Sequence, residues 1–199
     1  MQNPDPLPLS FYARDALWVA WDLIGCELEH AGVRLKITEV EAYRFPNDTA
    51  NHARFGKTPR NAPMWGPPGH AYIYLCYGMH LMLNLTTNAP HQAAAVLIRA
   101  AEPVSGLPLI QQRRGGKTGP VLLTGPGKVG ESLALQISQS GMPLNQSLFV
   151  YPRSEPPKLL HGPRIGIGYA SKADQEAPWR IAMANNKWVS FPKGLVQMS

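Results

Sequence analysis

The 199-residue sequence has few of the residues that build covalent cross-links or common metal sites. Cys26 and Cys76 are the only cysteines and form no CxxC pair, which excludes a disulfide framework and a cysteine-based zinc site. The six histidines show no HExxH motif or comparable ligand spacing. The sequence therefore predicts neither a disulfide nor a metal centre.

Long apolar runs are also missing. No segment approaches the roughly 18 consecutive apolar residues of a membrane-spanning helix. The N-terminal stretch "MQNPDPLPLSFYARDALW" lacks the basic segment and apolar run of a signal peptide. We therefore expect a soluble, intracellular protein with no membrane partner.

The charge balance is basic. Nineteen Lys and Arg against thirteen Asp and Glu give a net charge of +6 and a pI near 9.5. This excess favours an acidic partner such as nucleic acid, although it is spread along the chain as a solvated surface would be. A hydrophobic content of 44% is enough for a sizeable core, and the length favours one domain, residues 1–199, without repeats or linkers.

Two glycine-rich stretches resemble phosphate loops without meeting the full pattern. "GGKTG" at 115–119 has Gln111 where a P-loop needs its first glycine, so that motif is absent. "GPGK" at 125–128 precedes a predicted helix, which leaves two alternatives: backbone N–H groups that bind a phosphate, or a plain turn. A GxSxG nucleophile motif is absent.

Hydrophobic periodicity predicts an α+β domain with a mixed, largely antiparallel β-sheet core, flanking helices and a protruding β-hairpin. Ser10 is the expected cap of the first helix and Gly25 its end. The region 44–69 is predicted to be a long, proline-rich loop, a feature that is often functional. The predicted helices are 10–25 and 128–137, and the predicted strands are 26–30, 33–43, 71–76, 80–86, 93–103, 147–151, 164–170 and 187–191.

The stretch "ITEVEAYRFPNDTANH" at 37–52 contains acids at unexpected positions. Strand alternation places Glu39, Glu41 and Tyr43 on the same side as the apolar residues Val33 and Ile37. Because a buried, unpaired carboxylate is costly, such acids are usually paired, neutralised or used in chemistry. The alternative is a strand end that leaves the core and has its acids in water.

The stretch "AYIYLCYGMHLMLN" at 71–84 contains three tyrosines close together. On a strand, Tyr72, Tyr74 and Cys76 share one face, whereas Tyr77 falls at the turn before Gly78. An exposed aromatic at a hairpin tip suggests a contact with a partner. A well-packed strand without such a contact is the alternative.

Several of these motifs, taken in order, resemble the alkyladenine (3-methylpurine) DNA glycosylase family. They are "EVEAY", then His52, "KTPRNAPMWGPPGHAYIYLCYGMHLMLN" and "VLIRAAEP", so the strongest similarity runs from Ile37 to Pro103. Weaker similarity continues through "TGPGKVGESLAL", "GPRIGIG" and "PWRIAM". Val40 replaces a common Thr, and Leu81-Met82 replaces a more aromatic or polar pair, which bears on substrate preference.

The resemblance implies a base-excision-repair enzyme that flips alkylated, and possibly deaminated, purines out of duplex DNA. It would hydrolyse the base–deoxyribose bond without a metal or organic cofactor. The catalytic residues implied are Glu41, as the general base for water, and Arg99, close to that water and the DNA backbone. Glu39 has no catalytic counterpart in the family, and we interpret it as structural.

The resemblance also implies a base pocket and a DNA-contacting tip. Tyr43 and Tyr74 correspond to residues that stack on the base, with His52 as third member and backbone groups near Ala50 and His52 reading the base edge. The remaining residues are Asn84, which would disfavour guanine, Tyr77 and Met79, which would enter the DNA, and Arg60, which would bind phosphate.

Two other functions fit parts of this pattern. A catalytically silent nucleic-acid-binding module would need the basic charge and Tyr77 but not Glu41. A hydrolase of free nucleosides would need Glu41 but not Tyr77. For the glycosylase we expect a monomer acting on damaged double-stranded DNA, associated with the nucleoid in a bacterium or located in the nucleus in a eukaryote.

Overall fold

One nine-stranded sheet organises the chain, and the computed structural model describes residues 4–198. Every strand pair within those residues is antiparallel, so the predicted α+β class with a largely antiparallel sheet is confirmed. The main path of the sheet is β3-β4-β5-β2-β8-β7-β9, and β1 pairs with both β2 and β6. The strands are β1 (Glu27–His30), β2 (Val33–Tyr43), β3 (Ala71–Cys76), β4 (His80–Thr86), β5 (Ala95–Ser105), β6 (Leu148–Tyr151), β7 (Leu159–Gly162), β8 (Arg180–Met183) and β9 (Val196–Gln197).

Within residues 4–198, four short α-helices accompany the sheet: α1 (Ala16–Leu23), α2 (Leu107–Arg113), α3 (Pro126–Ser132) and α4 (Lys172–Glu176). The predicted cap at Ser10 is wrong: the Asp15 side chain caps α1 by accepting a 2.9 Å hydrogen bond from the Leu17 N–H. The predicted helix 128–137 is shorter than expected, since α3 ends at Ser132. Among residues 4–198 no helix has the length and apolarity to cross a membrane.

The C-terminal third departs most from the prediction. Residues 164–170 and 187–191 are not strands, and β7, β8 and β9 form instead. The alternation of Ile165 and Ile167 suggested a strand, but Gly166 has a φ of +78° and the segment turns. It packs as a loop beside β2, where it contributes to the site.

The strand β2 has an irregularity that decides where its acids point. Its pairing with β5 shifts between Ile37 and Val40. Before the shift Ile37 lies in the main hydrophobic core, and after it Val40 and Ala42 do. The expectation that Glu39 and Glu41 share the side of Ile37 is therefore wrong: both point to the opposite face, and both are completely buried rather than wetted at a rim.

The hairpin β3–β4 brings its aromatic tip into solvent. Tyr77 and Gly78 have positive φ values of 50° and 67°, and the Tyr77 side chain is 84% exposed. Helix α3 packs against β4 through two glycines, since a Cβ at Gly127 would meet His80 and one at Gly130 would meet the Leu81 carbonyl oxygen. This close packing supports β4 directly after the hairpin turn.

We expect Gly130→Ala to lower the free energy of unfolding by about 1–3 kcal/mol, because the added methyl group would clash with the Leu81 carbonyl oxygen. Gly168→Ala is the matched control, since no atom lies within 4 Å of its new methyl group. Thermal or denaturant unfolding of both variants tests this. Equal stability of the two variants would contradict the packing of α3 on β4.

Candidate active site

A cavity of about 470 Å³ opens on the face of the sheet opposite α1. Strands β2, β3 and β5 supply one part of its lining, and the loop after β7 supplies another. The lining residues that bear polar or aromatic groups are Glu41, Tyr43, His52, Arg60, Tyr74, Tyr77, Arg99 and Tyr169.

Glu41 is the buried carboxylate of this cavity, with no exposed surface. Its Oε1 accepts a 2.7 Å hydrogen bond from the Ile165 N–H and lies 3.2 Å from Arg99 Nη1. Its Oε2 accepts a 3.0 Å hydrogen bond from the Tyr43 hydroxyl. These donors hold the carboxylate in one orientation.

Arg99 bridges the two acids of β2. Its Nε lies 3.5 Å from Glu39 Oε1, and its Nη1 contacts Glu41. Burial by itself lowers the pKa of the Arg99 guanidinium, but the carboxylates of Glu41 and Glu39 more than offset this, so the pKa is raised. Arg99 therefore stays a fixed cation beside Glu41.

Glu39 has a different set of partners, which hold the C-terminal segment. It contacts Arg180 Nη1 at 3.0 Å and accepts a 2.6 Å hydrogen bond from the Ser190 N–H. Arg180 also donates to the carbonyl oxygens of Pro163 and Phe191. Glu39 does not line the cavity, and these contacts fit an anchoring role.

Aromatic side chains form the wall of the cavity that faces Glu41. The His52 ring centroid lies 4.6 Å from that of Tyr74, and Tyr74 stacks on Tyr72 at 5.4 Å. His52 Nδ1 is 2.9 Å from the Tyr72 hydroxyl. Burial, with the nearby Arg60 and Arg54, lowers the pKa of His52 from 6.5 to about 4, so its imidazole is neutral near pH 7. Burial also raises the pKa of Tyr72 to about 12.

Tyr43 lies between Glu41 and a second cation. Burial, with the neighbouring Glu41 carboxylate, raises the pKa of its phenol well above the ordinary value of 10.0. The hydroxyl is therefore a stable hydrogen-bond donor to Glu41. The ring also packs against the Arg164 guanidinium, whose central carbon is 4.8 Å from the ring centroid.

Two other predicted pocket residues lie deeper than the main cavity. Asn84 is 4% exposed, donates a 3.1 Å hydrogen bond to the Tyr72 carbonyl and lines a small adjoining cavity with Tyr43 and His52. Ala50 is completely buried; its N–H donates to Asp48 and its carbonyl accepts from the Tyr169 hydroxyl. The backbone of Ala50 is thus already engaged within the protein.

The three residues predicted to meet DNA lie at or near the mouth of the cavity. Tyr77 lines the rim, and Met79, 73% exposed, follows it at the hairpin tip. The Arg60 guanidinium lies over the Tyr74 ring, 5.1 Å from its centroid, and donates to the Leu75 carbonyl. All three are free to contact a large ligand.

Sequence reasoning missed the contribution of the loop at 162–170. Ile165 provides an N–H to Glu41, Tyr169 forms part of the cavity wall, and Arg164 supports Tyr43. The stretch "GPRIGIG" signalled this region without assigning a role to any of its residues. Its contacts with β2 join residues more than 100 positions apart, which no local pattern reports.

This arrangement combines an oriented carboxylate with an aromatic slot. The carboxylate can accept a proton from water or stabilise nearby positive charge. Electron-rich rings and a neutral imidazole can stack on a flat ring, including a cationic one. In the described chain, residues 4–198, no cluster of three or more His, Cys, Asp or Glu side chains is placed to hold a metal ion.

Comparison with known proteins finds matches over most of the chain. The family model described as methylpurine-DNA glycosylase matches residues 10–187. A protein of Nitrosococcus oceani named putative 3-methyladenine DNA glycosylase is 58% identical over 94% of this chain and 94% of its own length. A DNA-3-methyladenine glycosylase of Arabidopsis thaliana is 50% identical over 96% of this chain and 76% of its own. A putative 3-methyladenine DNA glycosylase of Carboxydothermus hydrogenoformans is 46% identical over 92% and 98%.

Proposed function

Because the chain belongs to the methylpurine-DNA glycosylase family, and is therefore a DNA glycosylase of alkylation repair, we propose a mechanism for it. A damaged purine nucleotide rotates out of the duplex into the cavity, and a water molecule activated by Glu41 hydrolyses the base–sugar bond. The observation that carries the proposal is a fully buried carboxylate, held by Arg99 and the Ile165 N–H, opposite an aromatic slot.

Glu41 has two roles in this mechanism. As a general base it takes a proton from the attacking water. As an anion it stabilises the positive charge that develops on the sugar in an oxocarbenium-like transition state. Alkylation at N3 or N7 already places positive charge on the purine, so such a base leaves readily.

The aromatic slot selects the base. The flipped purine stacks between Tyr43 on one side and His52 and Tyr74 on the other, where a cationic ring gains about 0.5–2 kcal/mol from cation–π attraction. The low pKa of His52 keeps its imidazole neutral, so it does not repel the cation. Asn84 and the backbone around Ala50 and His52 shape the end of the slot. A flat, neutral purine such as hypoxanthine fits the same slot, and we extend the proposal to deaminated purines.

Extracting a base requires an enzyme group to fill the gap in the helix. Tyr77 and Met79 are exposed at the hairpin tip and enter the duplex in this proposal. Arg60, which lines the same cavity as Tyr77, binds the DNA backbone. We propose that the protein acts on double-stranded DNA as a monomer.

Release of free base from duplexes that each carry one defined lesion tests this function. We expect release from duplexes containing 3-methyladenine or 7-methylguanine and none from undamaged DNA. Binding without release would support the silent module instead. Equal release from free nucleosides, without DNA, would support the nucleoside hydrolase.

Phosphate binding by basic side chains makes affinity depend on salt. We expect affinity for undamaged duplex to fall steeply between about 50 and 200 mM salt, because each neutralised phosphate releases counterions. Arg60→Ala should reduce the slope of log K against log salt by about 1. Arg14→Ala is the control, since Asp22 already compensates that charge. A salt-independent affinity in the parent protein would contradict DNA binding through phosphates.

A further inference from the structure

A buried ion pair lies directly behind the proposed base slot. Arg164 and Asp48 have no exposed side-chain surface, and their two hydrogen bonds measure 2.6 and 2.8 Å. Asp48 also accepts hydrogen bonds from the Arg44 and Ala50 N–H groups, each 3.0 Å long. The pair joins the loop after β2 to the loop after β7, which are more than 100 residues apart in the sequence.

The guanidinium of this pair packs against two aromatic rings. Its central carbon is 4.8 Å from the centroid of Tyr43 and 4.8 Å from that of Trp179. Tyr43 lines the main cavity, whereas Arg164 does not. The Tyr43 ring therefore separates the guanidinium from the space that a flipped base would occupy.

Arg164 also fixes the backbone that holds Glu41. Its Nη1 donates a 3.0 Å hydrogen bond to the Ala42 carbonyl, next to Glu41 in the chain. The residue after Arg164, Ile165, donates its N–H to Glu41 Oε1. The orientation of Glu41 and that of the Tyr43 ring thus depend on the same guanidinium.

If its charge were not compensated, this guanidinium would repel a cationic substrate base. A base stacked on the free face of Tyr43 would lie roughly 8 Å from it, where two like charges at an effective dielectric of about 20 repel appreciably. The Asp48 carboxylate accepts hydrogen bonds from the two terminal nitrogens of this guanidinium, Nη1 and Nη2. The wall behind the slot then carries no net charge.

We propose that Asp48 and Arg164 form a positioning pair in which Arg164 orients Tyr43 and Glu41, while Asp48 cancels its charge and so lets positively charged purines enter the slot. The inference rests on the proposed glycosylase function and names the pair as a determinant of the preference for cationic over neutral bases. Burial lowers the pKa of the Arg164 guanidinium, but its contacts with Asp48 raise that pKa above the ordinary value. The charge of Arg164 is therefore permanent.

The test compares two duplexes that differ only in the charge of the base. One contains 7-methylguanine, which is cationic, on a 2′-fluoro sugar that slows hydrolysis. The other contains 7-deaza-7-methylguanine, a neutral base of the same shape, on the same sugar. The ratio of their affinities is the charge preference, and it does not change when a fraction of the protein is merely unfolded.

Asp48→Asn should lower the charge preference about tenfold, the direction and order expected for one uncompensated charge at that distance. Arg164→Gln should leave the charge preference at or above the parent value, because no extra cation remains. The double variant should return to about the parent value. Asp22→Asn is the control: it removes a carboxylate on α1 that pairs with Arg14 and Arg153 on the opposite face of the sheet, and it should affect both duplexes equally.

Equal loss of affinity for both duplexes in Asp48→Asn would overturn the proposal and leave the pair a structural one. If Asp48→Asn does not fold, Arg164→Gln and the double variant still test the proposal. A charge preference that falls in either variant would overturn the proposal, and an unchanged charge preference in both would support it. These outcomes are separate from failure of the glycosylase function, which would appear as no base release by the parent protein.

Discussion

Glu41→Gln is expected to lower single-turnover base release by at least about 10²–10⁴-fold, the usual loss for a general base. The glutamine keeps the size of the side chain but removes both the proposed proton acceptor and the negative charge proposed to stabilise the sugar. Binding to lesion-containing duplex should survive or tighten, because an anion near the phosphates has gone. Excision kinetics and an affinity measurement on the same preparation check both expectations.

Glu39→Gln is the matched control for this experiment. Glu39 is two residues away on the same face of β2 and equally buried, but it bonds to Arg180 and Ser190 instead of lining the cavity. Breaking one partner of a buried ion pair is strongly destabilising, typically by about 3–5 kcal/mol. We therefore expect Glu39→Gln to unfold more easily while its remaining folded molecules keep most of their activity.

The opposite pattern would reject the assignment of Glu41. A Glu41→Gln protein that melts early but excises normally per folded molecule would make Glu41 the structural acid. Thermal melting and single-turnover excision of both variants, measured side by side, separate the two roles. Arg99 contacts both acids, so it retains one carboxylate partner in either variant.

Tyr77→Ala should fold normally and yet excise poorly. The Tyr77 ring is 84% exposed, so its removal costs the fold little. In the proposed mechanism the ring replaces the stacking that is lost when a base leaves the helix, a step worth a few kcal/mol, so we expect the excision rate to fall up to about 10²-fold. The loss should be greatest for lesions that still pair well, such as hypoxanthine, and smallest for poorly paired ones.

Trp18→Ala provides the comparison for Tyr77→Ala. Trp18 is also an exposed aromatic, at 58%, but it lies on α1, which packs on the opposite face of the sheet. Its removal should not change excision from any duplex. Full activity of Tyr77→Ala on a paired hypoxanthine would show that Tyr77 is an ordinary surface residue.

Local sequence patterns predicted the elements that surround the site. The strands β2, β3 and β4 have the predicted bounds, because period-two alternation and the turns at 31–32 and 77–78 are local features. The antiparallel sheet follows from such hairpins. Motifs between Ile37 and Pro103 also sufficed to indicate the family, since several residues in a fixed order rarely recur by chance.

Tertiary structure decided which way the acids of β2 face. The shift between Ile37 and Val40 is matched in β5, where Val96 and Ile98 and then Ala101 occupy the core. The buried face switches at the same place in both strands because they pair with each other and pack on the same core. The sequence of either strand alone does not predict this switch. The acids thereby reach Arg99 and, for Glu41, the cavity.

Tertiary structure also decided the composition of the site beyond these strands. The segment 162–170 has an alternating pattern, but its anchors are Glu41 and Asp48, which accept hydrogen bonds from Ile165 and Arg164 across more than 100 residues. The stability of such contacts depends on burial and on satisfied hydrogen bonds in the folded state. The sequence by itself therefore determined the fold class and the family, and it predicted Glu41 as the catalytic carboxylate. The folded chain decided which face of the sheet Glu41 occupies and which cation lies behind Tyr43.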